Sequence, residues 1–182
     1  TKNNPRIQKE VNLLKSQAER CKEILLSLSK NPQNLKNNFL DTISISNLVK
    51  LSFEKFNNKN NVLLEIKHMT IGNEPTILSK DELIYGIGNI IQNAIQHACN
   101  KIKVSIIWDK KYIKIIIQDN GKGFTKETLE QIGNPYISKN KKGMGLGIFI
   151  AKNLIENIGG VINFKNNEYN SACVEIKIKR ND

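Results

Sequence analysis

At 182 residues the chain can bury one substantial α/β core. Its formal net charge of +11 raises nucleic acid as a partner, but 25 of the 28 cations are lysine rather than the bidentate arginine, and no basic run carries interleaved aromatics, so no nucleic-acid partner is expected. Cys21, Cys99 and Cys173 form no CxxC or Cys/His cluster, which excludes a zinc site and a disulfide framework and fits a reducing cytoplasm, while no apolar run reaches the ~18 residues of a membrane span and no signal peptide opens the chain, so no membrane contact is expected.

From Arg6 to Leu28, Ile7, Val11, Leu14, Ala18, Cys21, Leu25 and Leu28 step by four and three. This heptad seam predicts a coiled-coil or bundle helix that pairs with a missing helix or a second copy. Asn31-Pro32 ends it, giving two domains, 1–32 and 33–182. Cys21 on the seam is either a small buried apolar residue or, near a dimer axis, a bridge between two copies.

After a polar linker, Phe39 to Ile43 reads as a strand. Ser46 is expected to cap a helix to Phe56 with Leu48, Val49, Leu51, Phe53 and Phe56 as its apolar positions. A strand follows over Val62 to Lys67, then an irregular stretch to Thr76 and Ile77-Leu78. Ser79 to Ala98 carries the strongest helical signal. Ser79 serves as N-cap, Asp81 and Glu82 lie in the first turn, and Leu83, Ile84, Ile87, Ile90, Ile91, Ala94 and Ile95 form the apolar stripe. Asn89 and Asn93, four residues apart, border that stripe on one edge.

Ile102 to Trp108 and Ile113 to Gln118 form a hairpin turned at Asp109-Lys110-Lys111. Its second strand runs into Asp119-Asn120-Gly121-Lys122-Gly123-Phe124. Thr125 to Lys142 is too long for an ordinary connection and reads as a functional lid. Gly143-Met144-Gly145-Leu146-Gly147 opens a helix over Ile148 to Ile158, stopped by Gly159-Gly160, and Val161 to Lys165 with Ala172 to Lys179 closes the chain as a hairpin. Runs of strands with three helices predict an α+β fold, a two-layer α/β sandwich with helices on one face of a mixed sheet.

Three features of this order carry chemistry. A glycine-rich turn feeding a helix N-terminus offers backbone amides to phosphates. An Asn oxygen is a neutral, hard ligand for Mg²⁺ shared with phosphates. An Asp at a strand end, flanked by glycines, can accept from the amino group of adenine. The last glycine cluster is no dinucleotide fingerprint, since GxGxxG spacing needs glycine at Ile148, and no GxxxxGK[ST] occurs.

The order NIIQNAIQHA, DNGKGF and GMGLGIFIAKNLIENIGG resembles the N, G1 and G2 boxes of the catalytic and ATP-binding domain of sensor histidine kinases, in the superfamily that also holds gyrase-type ATPases and heat-shock chaperones. The lid's end and the seam helix look most like redox-responsive kinases of the RegB/PrrB type. The resemblance implies a Bergerat-type ATP-binding fold, with Asn93 as Mg²⁺ ligand, Asn89 as phosphate contact and Asp119 as adenine reader beside Gly121 and Gly123. Lys142, Gly143, Met144, Gly145, Leu146 and Gly147 would line the phosphates. His97 is either adenine wall or a helix-end residue without a role.

Two positions depart from the family pattern. Gln92 stands where many relatives carry an acidic residue, and Gln96 where many carry a phosphate-contacting Lys. Lys139, Lys141 and Lys142 replace that cation or form a solvated lid face. Neither His68 nor His97 has the context of the family's phosphoacceptor. The resemblance thus implies ATP-dependent transfer to a histidine on a helix absent from this chain, homodimerisation through the seam helix, and relay to a response regulator receiver domain. An ATPase switch and a degenerate nucleotide-binding regulator are the alternatives.

Overall fold

Alternating isoleucines build the sheet. In β4 (Lys101–Trp108) and β5 (Tyr112–Asp119), Ile102, Val104, Ile106, Ile113, Ile115 and Ile117 all point to one face and are almost wholly buried. Their strand neighbours point the other way, as the period of two requires. The coordinates are a computed structural model, in which the chain divides into two compact units, Thr1–Phe39 and Leu40–Asp182. Residues 42–57, 61–132 and 146–180 are described. The expected seam helix with Cys21, the boundary at residue 32 and lid residues 133–145 lie outside them.

Five strands pair in the order β2 (Leu63–His68), β4, β5, β7 (Ala172–Lys179), β6 (Val161–Asn166). Only β2 and β4 run parallel, so the sheet is mixed. A parallel neighbour needs a crossover, and α2 (Asp81–His97) supplies it. β1 (Thr42–Ser44) and β3 (Thr76–Leu78) form a separate antiparallel ribbon. α1 (Ile45–Phe56), α2 and α4 (Gly147–Asn157) bury Ile45, Leu48, Ile87, Ile91, Ala151 and Ile155 in the core that also holds the isoleucine face. This is the expected two-layer sandwich, and each fully buried isoleucine contributes about 1.5–3 kcal/mol relative to exposure.

Several local expectations change. The N-cap of α2 is Lys80, not Ser79, because the amides of Leu83 and Ile84 both reach the Lys80 carbonyl. The N-cap of α1 is Ser44, whose hydroxyl accepts from the Asn47 amide. Ser46 lies inside that helix. Its amide donates to Glu74 Oε1 at 2.9 Å, and its Oγ lies 2.8 Å from His68 Nε2, tying the helix start to the end of β2. Leu51, one of the apolar positions of α1, is 60% exposed. The expected lid opens with a fourth helix, α3 (Lys126–Gln131), capped by Thr125. Gly159, at φ +77°, adopts the left-handed conformation that ends α4.

Two glycines sit two residues apart in α2 with opposite reasons. A Cβ at Gly86 would lie 2.9 Å from Ile155 Cδ1, so Gly86 lets α4 approach closely. A Cβ at Gly88 would meet Ser52 Oγ at 3.7 Å and Phe56 Cε2 at 3.9 Å, ordinary contacts. Gly88→Ala therefore raises stability by about 0.5–1 kcal/mol through helix propensity, whereas Gly86→Ala overpacks the core and lowers it. Urea denaturation of the two variants checks this, and the reverse ranking contradicts the packing described.

Candidate functional site

The amide-bearing edge of α2 and the end of β5 meet at the helix C-terminus. Asn89, Asn93 and His97 recur every four residues along one edge of α2, the two asparagines partly buried and His97 exposed. The Asn89 side-chain nitrogen donates to the Tyr85 carbonyl at 2.8 Å, which orients its amide along the helix. Gln92, also partly buried, lies beside Asn93.

Asp119 ends β5 on the helix-facing side, directly across from Ile102, and is 7% exposed. Its Oδ1 accepts from the Gly121 amide at 2.8 Å. Burial pushes its carboxyl above the ordinary range; the Gly121 hydrogen bond and the nearby His97 act in the opposite direction. A carboxylate kept in so little water, with one oxygen tied by its own loop, is a costly group to maintain for structure alone.

Gly121 and Gly123 were expected to make room for a flat base. Their immediate constraint is protein. A Cβ at Gly121 would fall 2.1 Å from the His97 carbonyl oxygen, and one at Gly123 would fall 2.2 Å from the Asn170 carbonyl. Gly123 also holds φ +71°, which side chains strongly disfavour. The two glycines therefore let the loop after β5 lie directly against the end of α2 and the β6–β7 turn.

Three residues that the sequence did not single out hold this loop. Asn120 Oδ1 accepts from the amides of Cys99, Asn100 and Lys101 at 3.0–3.1 Å, fixing the turn from α2 into β4. Asn166 clips Phe124 on both sides, accepting from its amide and donating to its carbonyl, each at 2.8 Å. Ser171 Oγ donates to the Gly121 carbonyl at 3.0 Å. Asn120 stood inside the recognised box, but Asn166 lies 42 residues from its partner and no local pattern could have found it.

Leu146 and Gly147 begin α4, which packs on α2 at Gly86. The N-cap position, Leu146, makes no side-chain capping hydrogen bond to the first turn of this 11-residue helix. Lys142, Gly143, Met144 and Gly145 lie outside the described residues. The structure thus brings His97, Asp119 and Gly121 together, holds Gly123 against the β6–β7 turn, and places Asn89, Gln92 and Asn93 on the same helix as His97.

A second cluster, Ser46, His68 and Glu74, has the composition of a hydrolytic triad but not its wiring. Both Ser46 Oγ and Glu74 Oε2 approach the same ring nitrogen, Nε2, at 2.8 and 3.3 Å. A relay needs the carboxylate on the opposite nitrogen. The cluster is a structural clamp.

Residues 78–182 match the family of histidine kinase-, DNA gyrase B- and HSP90-like ATPases. The chain is similar to the sensor histidine kinase RegB of Cereibacter sphaeroides, with 28% identity over 178 residues covering 89% of this chain and 38% of that protein. It is also similar to sporulation kinase A of Bacillus subtilis, with 30% identity over 94 residues covering 50% of this chain and 16% of the relative. The chain thus spans well under half the length of these relatives. Among solved structures, the Acinetobacter baumannii histidine kinase AdeS aligns over 100% of this chain and 88% of that one, with a TM-score of 0.68 at 19% identity. The catalytic domain of histidine kinase ThkA aligns over 78% and 96%, with a TM-score of 0.64 at 22% identity. These structures share the fold.

Asp119→Asn keeps the acceptor for the Gly121 amide and removes the buried charge. Because the native carboxyl titrates above its ordinary value of 3.8, the native state binds the proton more tightly than the unfolded chain. The associated stability is full below that value and is lost as pH rises through the higher native one. Without nucleotide, Asp119→Asn is therefore expected to be more stable than wild type at pH 7, with the gap closing as pH falls toward 3.8. Unfolding curves at several pH values check this; a variant less stable than wild type at pH 7 contradicts it.

Proposed function

The chain belongs to the family of histidine kinase-, DNA gyrase B- and HSP90-like ATPases, and we propose that residues 33–182 are the ATP-binding catalytic part of a sensor histidine kinase, passing the γ-phosphoryl group of ATP to a histidine on a dimerisation helix. The observation that carries this reading is Asp119, a buried, loop-oriented carboxylate set beside the end of the asparagine helix.

The residues fit the group they would hold. Asp119 accepts from the exocyclic amine of adenine, a donor that the carboxylate distinguishes from the carbonyl of guanine. Asn93 offers an amide oxygen to Mg²⁺, and Asn89 one turn earlier faces the phosphates. The start of α4 at Leu146 and Gly147 would present its backbone amides to the same phosphates, and Lys142, Gly143, Met144 and Gly145, just before it in sequence, belong to the same proposal. When bound, Mg-ATP supplies the phosphoryl group and a charge that the metal offsets. The chain's own part is to position and to exclude water. Gln92 cannot take a proton, so proton removal from the acceptor is not its task.

Homodimerisation through the N-terminal helix and relay to a receiver domain belong to the same proposal, as does a cytoplasmic location for this part of a longer sensor. Among the described residues no helix is long and apolar enough to cross a membrane.

Mixing the chain with Mg-ATP and a supplied acceptor helix tests the reaction. Phosphohistidine is the expected product; free phosphate without it would instead mark an ATPase switch, and binding alone a regulatory module. Asn93→Ala is expected to abolish Mg-dependent ATP binding without unfolding the domain, because the amide acts as ligand rather than packing. Calorimetry showing undiminished Mg-ATP affinity in the folded variant refutes the assignment.

A further inference from the structure

Among the described residues, the sheet face turned away from the helices gathers the positive charge. Strand pairing places Lys67, Lys101, Lys103, Lys114, Lys165, Lys177 and Lys179 on that side, against only Glu65 and Glu175. Elsewhere the described residues hold nine Lys and Arg against ten Asp and Glu. Among the described residues the excess lies on this one side rather than being spread evenly, with at least one lysine from each of the five strands.

The two carboxylates on this face are already shared. Glu65 pairs with Lys101 at 2.5 Å and Lys67 at 2.8 Å, which hold its carboxyl down to about 2. Glu175 pairs with Lys165 at 2.6 Å and Lys114 at 3.2 Å. Lys103, Lys177 and Lys179 make no ion pair among the described residues, though the Lys177 ammonium lies over the Tyr112 ring, 4.0 Å from its centroid. Lys114 and Lys177 stand directly opposite each other across β5 and β7, a like-charge pairing that weakens a sheet. At the two outer strands, Leu63 and Val161 face the same side and are 68% and 53% exposed.

Against the expectation from the sequence that this segment makes no membrane contact, we propose that this open sheet face docks on an anionic lipid bilayer. The face is broad, roughly 20 Å across its five strands, and its charges are lysine point charges rather than the fixed forks of arginine. A fluid layer of anionic headgroups adapts to such a spread, whereas a folded acidic protein must match it charge for charge. Leu63 and Val161 gain from entering the interfacial region and would gain nothing on a phosphate backbone, which separates lipid from nucleic acid. A second copy is excluded as occupant because like charges would meet. Read along the chain the lysines are isolated, and only strand alternation assembles them. Because the nucleotide-site helices pack on the opposite face, docking leaves that site accessible.

Vesicle co-sedimentation of the full chain tests the proposal. Vesicles containing phosphatidylglycerol are expected to capture it in a salt-sensitive way, and purely zwitterionic vesicles are not. Lys103→Glu/Lys177→Glu/Lys179→Glu is expected to lower partition by roughly tenfold or more, and the milder Lys103→Gln/Lys177→Gln/Lys179→Gln in the same direction. Lys50→Glu/Lys80→Glu/Lys126→Glu changes net charge equally but lies elsewhere, and retains partition to within about threefold. Circular dichroism checks that each variant folds. No capture of wild type, or equal losses in the face and control variants, overturns the proposal. So does a face variant that loses duplex DNA or an acidic protein while its vesicle partition stays unchanged.

Discussion

Three backbone amides leaving α2 converge on one side-chain oxygen, that of Asn120, and the neighbouring Gly121 lies against the last carbonyl of the same helix. This junction fixes the helix that carries Asn89 and Asn93 relative to the strand that carries Asp119. A β-carbon at Gly121 would need the His97 carbonyl to move, and with it the end of α2. Asn166 and Ser171 extend the junction to the β6–β7 turn, so the loop after β5 is held on both sides. The geometry of the site is a consequence of backbone packing before any ligand is considered.

That junction also explains the cost carried by Asp119. A carboxylate on the core side of a sheet, raised in pKa by burial, opposes folding at neutral pH. Removing one partner from a buried polar contact costs about 1–3 kcal/mol, and an arriving donor recovers energy on that scale. On the proposed reading, nucleotide recognition by such a group would be coupled to stability, because binding a donor would relieve an electrostatic cost the empty site carries. The isoleucine core sustains this because its face is continuous across β4, β5 and β7.

Much of this was legible in the sequence wherever burial imposes a period. The apolar stripe of α2, the hairpin from Lys101 to Asp119 and the closing hairpin follow from spacing alone, as does the two-layer class. The departures occur where no period exists. α3 has no buried residue, so its six residues carry no hydrophobic signature beyond the cap at Thr125. Ser44 and Ser46 are both good caps, and the choice depends on where β1 ends. Gly121 and Gly123 were flagged by motif but for a different reason, since the atoms that exclude a side chain come from His97 and Asn170, distant in sequence. The basic face was invisible because alternation in five separate strands assembles it.

The central claim is that nucleotide enters between the asparagine edge of α2 and the loop after β5, on the helix side of the sheet. Amide chemical-shift mapping during a Mg-ATP titration tests it most directly. The account predicts shifts concentrated at Asn89 to His97, Asn120 to Phe124 and the start of α4, with Val161 to Lys165 on the opposite edge unmoved. Absence of shifts at saturating Mg-ATP, or shifts centred on the open sheet face instead, would contradict it.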